Sequence, residues 1–466
     1  MAVPSFDVIR ADLKVRQAFP PEVLREAEAC VANRARDDRN SLDLPFVTID
    51  PAQSMDLDQA LHVERTASGY RVHYAIADVA AFVGPGGPMD TEAWVRGVTL
   101  YSPDMRAPLY PRALSEGVAS LLPDKDRPAL VWSFALDDAG EASTVELHRR
   151  VVRSVAKLDY AGVQTSFAKG SAHPSIAALA ELGPILVSQA RDRGAIELPA
   201  PDQEVVSSPD GSWTLAMRSQ LPVERWNAQI SLLTGRAAAQ LMLAKGVGVL
   251  RTLPPPEVRT VAQLREIAAS LGIGWAPGDS PAQILSTMHG DLPREVAFIE
   301  QAAALLRGSG YTAFDTAGGS KSLPEHILHA GVGAPYAHVT APLRRLADRY
   351  ANEVCLAIQQ GREIEEWAHS RLADLPDAMA NGQRHDSELE RACLDATEAA
   401  VLSDRIGEEL DGIVVDAEDQ SATVIIRELA VRAKCPAQHL ALGATVRLLV
   451  VAVDLRSRTV QLAVAE

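Results

Sequence analysis

The stretch Thr48-Ile49-Asp50-Pro51-Ala52-Gln53-Ser54-Met55-Asp56-Leu57-Asp58-Gln59-Ala60 places three carboxylates within nine residues, after an apolar run that begins at Phe46. Its flanks read as strands. FVTID precedes it, and QALHVER and YRVHYAIADVAAFV follow, with a turn from Thr66 to Gly69 that joins the last two as a hairpin. Asp56 and Asp58 are two apart, so on an extended chain they point to one side, and the turn at Pro51 can fold Asp50 back toward them. Carboxylates this close repel one another unless a cation lies between them. Hard oxygen ligands select Mg²⁺ or Mn²⁺, and a Mg²⁺ held by few carboxylates keeps positions open for phosphate oxygens. This is the equipment of metal-assisted phosphodiester hydrolysis. An acidic surface loop has the same composition, and spacing alone does not choose between the two. A calcium loop is disfavoured, because no glycine and distal glutamate complete that pattern.

Working outward, strands come first and helices later: VERWNAQISLLTGRAAAQLMLAK, TVAQLREIAASLG, PREVAFIEQAAALLRG and PLRRLADRYANEVCLAIQQG. That order predicts an α+β fold over residues 44–402, with a mixed sheet and loops at LPPPE (253–257) and AGGSKSLPEH (317–326). From residue 403 to 466 the pattern changes to five short strands, the size and count of an OB-type barrel. Residues 1–43 read as two short helices, either an arm packed on the next domain or a small helix-turn-helix.

Composition bounds the partners. The chain has 466 residues, 47% hydrophobic and 23% charged, which fits two or three globular domains and excludes disorder throughout. A net charge of -16 excludes coating of nucleic acid by bulk charge and leaves room for a local basic groove. Of the 45 basic residues 38 are Arg, the side chain suited to bidentate phosphate contacts. Four cysteines without a C-x-x-C spacing, a polar N-terminus and no apolar run near the ~20 residues of a membrane span predict a cytosolic protein that does not engage membranes. No GxxxxGK[ST] or GxGxxG loop is present, so no nucleotide cofactor is expected.

TIDPAQSMDLDQAL resembles the signature of the catalytic (RNB) domain of the ribonuclease II and ribonuclease R exoribonucleases. That signature carries four acidic positions. Asp50, Asp56 and Asp58 match the first three, and Gln59 stands at the fourth. HYAIADVAAFV, GVTLYSPDMRAPLYPRALSEGVASLLPDKDRPAL, KLDYAGVQ, PVERWNAQISLL and YAHVTAPLRRLADRY are similar to further family segments in the family's order, and the last five strands to its terminal OB fold. Together the matches cover residues 44–466.

The resemblance implies Mg²⁺-dependent hydrolysis of single-stranded RNA from its 3′ end to nucleoside 5′-monophosphates by a monomer. Asp50, Asp56 and Asp58 would hold metal, with Gln59 a weak fourth ligand. Arg344 would contact the scissile phosphate, and Arg345 would line the RNA channel beside it. Tyr101 would stack on the terminal base, and Tyr336, His338 and Thr340 would serve as scaffolding. Read without the family, Arg344 is a helix N-terminal charge that Asp348 can pair at i+4. The chain departs from the family in four places. Gln59 removes one charge, so Gln59→Asp is expected to lower the Mg²⁺ requirement. Leu250 and Leu253 replace aromatic and histidine residues, and Asn352 stands where many members have His. About 43 mostly helical residues stand in place of the cold-shock domains. The last departure widens the expected substrates to structured RNA with a 3′ overhang. The first keeps open an RNA-binding protein with a catalytically degenerate RNB domain.

Overall fold

A computed structural model describes residues 4–32, 40–316, 323–436 and 440–465. Five strands close a barrel: β1 (Phe46–Ile49), β2 (Gln59–Thr66), β3 (Gly69–Ala77), β4 (Asp126–Leu136) and β5 (Ala142–Leu158). Neighbours are antiparallel except at the closure, where β5 returns beside β1 in parallel. The expected β2–β3 hairpin turns at Thr66 and Gly69. Gly69 is required there. Its φ is +134°, and a Cβ would lie 2.1 Å from the Leu136 carbonyl oxygen on β4. The β4–β5 hairpin was not legible as such. Arg149, Arg150 and Arg153 interrupt the alternation of β5, yet Arg149 is drawn inward by Asp78, at 2.7 Å, and by Glu353.

The N-terminal residues form an arm. Helix α1 (Phe6–Asp12) buries Phe6 and Ile9 against Leu389, Cys393 and Trp213. Helix α2 (Pro21–Ala32) packs Val23 and Ala27 on the helix Pro88–Arg96. The two dock on separate parts of the body, so they do not form a helix-turn-helix unit.

Helix α3 (Pro222–Lys245) and helix α4 (Leu346–Gln359) pack on one another, and α4 also packs on β5. Their side chains share one buried core with Val47, Val72, Trp132 and Phe134 of the barrel. Helix α4 starts at Leu346, so PLRR precedes it and is not helical. Helix α5 (Leu375–Ser403) then runs 29 residues toward the C-terminal unit. Its buried residues recur at helical spacing (Leu375, Met379, Gly382, Leu389, Cys393, Ala396 and Ala400), and it packs on both units.

The C-terminal unit has the five predicted strands: β6 (Glu409–Ala417), β7 (Ser421–Ile426), β8 (Val431–Pro436), β9 (Thr445–Asp454) and β10 (Thr459–Val464). They run antiparallel in the order β8-β7-β6-β9-β10, with β8 and β10 approaching each other, around Val424, Ile426, Val431 and Leu448. No helix among the described residues is long and apolar enough to cross a membrane. Residues 317–322 of the predicted AGGSKSLPEH loop lie outside the described residues.

Candidate nuclease site

The acidic stretch crosses one rim of the barrel. Asp50 follows β1, and its amide donates to the Leu158 carbonyl at the end of β5 (3.1 Å). A turn closes with Ser54 N–H on the Pro51 carbonyl. Leu57 is fully buried, and its amide donates to Ser120 Oγ (3.0 Å). That anchor sends the alternating neighbours Asp56 and Asp58 the other way, into a cavity of about 640 Å³. Asp50, Asp56, Asp58 and Gln59 line it together with Tyr101 and Arg344.

Arg344 enters the cavity from an irregular segment, residues 336–345, whose peptide groups are met by other parts of the chain. Gln59 Nε2 donates to the Thr340 carbonyl (2.5 Å), and Asn352 Nδ2 to that of Val339 (2.7 Å). Ala341 N–H donates to Asp348, Leu343 N–H to Asp58 Oδ1 (both 2.7 Å), and the Arg344 carbonyl accepts from Thr99 N–H. Buried irregular backbone is stable only when so satisfied. Asp58 therefore has two tasks: it faces the cavity and fixes the segment that carries Arg344.

Burial, and then the negative charge of Asp56, push the Asp50 carboxyl up to about 6. Burial raises Asp58 well above the carboxylate range, and Asp56 adds to it. Arg344 and the Leu343 amide act the other way. Asp56 itself is paired with Arg106 (2.6 Å), which also reaches Glu116. Among the described residues no three acidic, histidine or cysteine side chains converge closely enough to encircle an ion. The donor set does fit a hard cation held by few carboxylates. Asp50 and Asp58 are repelled by Asp56, and among the described residues neither has an arginine at hydrogen-bonding distance.

The arginine pair is split. Arg344 is half-exposed in the cavity, with Nε 3.8 Å from Asp58 Oδ2. Arg345 does not line the cavity. Its Nε and Nη2 hold Asp348 at 3.0 and 2.7 Å. Asp348 is thus paired with Arg345 and not with Arg344 at i+4. Adjacent residues at a helix start point apart, and Asp348 is occupied by the inner one. Of the other cavity arginines, Arg106 is held by Asp56 and Glu116, and Arg218 by Glu204 and Glu224. Arg344 is thus the cavity cation left for a substrate among the described residues.

Tyr101 lies on a short hairpin (Leu100–Ser102 and Met105–Ala107), 42% exposed at the cavity wall, and makes no ring contact among the described residues. Gln59 is engaged at both ends, since its Oε1 accepts from Tyr74 Oη (3.0 Å) while Nε2 holds Thr340. It acts as a strut, and that use competes with metal ligation. His338 is a scaffold residue. Its Nδ1 meets Tyr311 Oη (2.6 Å), and burial with nearby arginines keeps it neutral. Leu250 and Leu253 are buried away from the cavity. Arg106, Tyr160 and Glu224 also line the site and were not singled out in the sequence. Arg106 stood in the quoted SPDMRAPL segment, but nothing in sequence spacing pairs it with Asp56.

Known proteins are similar over much of this chain. Ribonuclease R of Vibrio cholerae is 27% identical over 452 residues, 89% of this chain and 53% of that protein, so the chain spans about half the relative's length. Solved structures of Mycoplasma genitalium RNase R, 19–20% identical, cover 99% of the chain. The complex with ribose-methylated single-stranded RNA has a TM-score of 0.87, and the one with double-stranded RNA 0.84. They cover 77% and 82% of those chains. A yeast pseudonuclease, Ssd1, matches with a TM-score of 0.71 at 16% identity, over 89% of this chain and 53% of that one. Residues 408–465 match the RNase II-type exonuclease C-terminal S1 domain, and the RNB domain family matches residues 38–359, more than half of the chain. The barrel rim with its three aspartates and the irregular segment bearing Arg344 both lie within that match, and the chain belongs to the RNB family.

Proposed function

We propose that this protein is a 3′→5′ exoribonuclease that hydrolyses single-stranded RNA to nucleoside 5′-monophosphates with the help of Mg²⁺, or Mn²⁺ in its place. The observation that carries the reading is the shared cavity of Asp50, Asp56, Asp58, Arg344 and Tyr101. Asp50 and Asp58 would hold the ion, with Asp56 restrained by Arg106. A bound Mg²⁺ supplies an activated water and offsets charge on the phosphate. Arg344 offers a planar, permanent cation to the scissile phosphate as negative charge builds. Tyr101 presents a free ring face to the terminal base, a contact of ~1–3 kcal/mol that reads no sequence. Direction of attack and product class rest on kinship with ribonucleases R and II. Because a Mycoplasma relative has been solved with duplex RNA, we extend the reading to duplexes with a 3′ overhang.

The test uses end-labelled RNA with a 3′ overhang, the matching DNA, Mg²⁺, and the wild-type and Asp58→Asn proteins. Wild type is expected to release mononucleotides from RNA only, and the variant to bind without cutting. RNA bound but left intact by wild type would favour the second reading, a degenerate RNB domain that only binds RNA. One feature speaks for that reading: Gln59, at the fourth acidic position, is bound at both ends of its amide. A tailed hairpin tests the duplex extension, which fails if digestion always stalls several nucleotides before the stem.

A further inference from the structure

Two arginines outside the cavity form no ion pair among the described residues. Arg193 ends the helix Leu179–Asp192, and Arg236 lies within α3. Nε and Nη1 of Arg193 and Nε of Arg236 are buried without a hydrogen-bond partner. The remaining guanidinium nitrogens are not enclosed. The helix Leu179–Asp192 packs along α3 with Gly183 against Trp226, ten positions before Arg193 and Arg236 respectively, and burial first, with the charge of Arg236 next, lowers Arg193 to about 10. Glu141 is the acid that acts on both, but its Oε1 accepts from Gln189 Nε2 at 2.8 Å. Asp192 sits 4.0 Å from Arg191 instead.

Other buried arginines are met: Arg251 donates to Gln383 and Ser309, and three more meet carboxylates. Arg149 meets Asp78 and Glu353, Arg345 meets Asp348, and Arg349 meets Asp90. In a chain with 61 acidic residues against 45 basic ones, carboxylates are not scarce. A helix C-terminus favours one cation, which accounts for Arg193 alone. It does not account for Arg236, which is well inside α3. Buried N–H groups left unmet are costly, and paired guanidinium forks match a tetrahedral oxyanion. Arg236 follows Ala228, a cavity-lining residue, by eight positions, or ~12 Å along the helix, so the pair is separate from the cavity.

We propose that Arg193 and Arg236 form a second phosphate-binding site, taking an oxyanion of the phosphate class from either a free phosphate or nucleotide or an RNA backbone. The proposal does not depend on the protein being a nuclease. It is tested by thermal unfolding in an Arg344→Gln background, which removes the cavity's phosphate contact. Inorganic phosphate and adenosine 5′-monophosphate are added in turn at matched ionic strength. Both are expected to raise the melting temperature, and Arg193→Gln with Arg236→Gln to abolish the rise. Stabilisation that survives the double substitution overturns the site, as does its absence beforehand. In phosphate-free buffer the double variant should melt no lower than its parent. A lower value would make these arginines props of the fold and would also overturn the proposal. A third arm separates the sources. If an RNA strand reaches the pair, the slope of log binding constant against log salt falls by about 1 in the double variant. An unchanged slope alongside a lost phosphate response assigns the site to free phosphate or nucleotide.

Discussion

Replacing Gln59 by Glu changes one atom group and keeps the length of the side chain. The amide now donates to the Thr340 carbonyl at 2.5 Å and accepts from Tyr74 Oη at 3.0 Å. An ionised Glu keeps the second contact and turns the first into an oxygen facing an oxygen. An acceptor stripped of its donor in a partly buried place costs about 1–3 kcal/mol. The cost depends on pH in a set direction. Burial, the nearby aspartates and the Thr340 oxygen all raise the new carboxyl above its unfolded value of about 4.3. Below the unfolded value it is protonated in both states, and its O–H can donate to Thr340 as the amide does. Above the folded value the full penalty applies. Wild type and Gln59→Glu should therefore unfold at similar urea concentrations at about pH 4 and diverge by pH 8.5. Loosening of the Thr340 carbonyl also frees the backbone before Arg344, so RNA affinity should fall with stability. Equal stability at pH 8.5, or a larger gap at low pH, would refute the strut. The same geometry reverses the expectation for Gln59→Asp. The shorter acid reaches neither partner, so it should weaken the protein without lowering the Mg²⁺ requirement, which a Mg²⁺ titration of activity checks.

Other outcomes follow from the same contacts. Arg344→Ala should leave stability within ~0.5 kcal/mol, because its half-exposed head serves no fold contact at hydrogen-bonding distance, and should lower turnover by ~10²–10³, as loss of one preorganised charge does. Arg345→Gln should do the opposite: it strands Asp348, whose side chain is wholly buried, at ~3–5 kcal/mol in an unfolding assay, while the variant that still folds keeps its Arg344-dependent phosphate contact. Glu398 on α5 accepts from Gln203 Nε2 and from Arg432 N–H on β8, and burial pushes it up to about 7 from 4.5. A folded value above the unfolded one means its contribution is present at low pH and lost as pH rises through about 7. Wild type should then lose on the order of 3 kcal/mol between pH 5 and 9 relative to Glu398→Gln, read from paired urea melts.

The strands around Asp50 were legible because their alternation and the Thr66–Gly69 turn are local signals. The five C-terminal strands were legible for the same reason. The β4–β5 hairpin was hidden because charged residues on β5 answer to tertiary partners: Arg149 alternates correctly only once Asp78 and Glu353 are in place. Within the site, sequence order gathered Asp50, Asp56 and Asp58, which fold together on one rim. It could not assign Gln59, Arg106 or Arg345, because each takes its role from a partner far along the chain or from which side of a turn it falls. Thr340 lies 281 positions from Gln59, and Asp56 lies 50 from Arg106. Only the first member of the RR pair looks into the cavity, and no periodic pattern marks which one that is.

The bond between Asp58 and the Leu343 amide spans 285 positions of the chain. During synthesis at ~5–20 residues per second, roughly 15–60 seconds separate the arrival of the acidic rim from that of the arginine it must hold. Throughout that interval the rim exists without its phosphate-binding cation. If the whole constellation is what cuts RNA, a half-made chain still tethered to its own messenger cannot attack it. The long span would then serve as a timing safeguard written into the order of the residues.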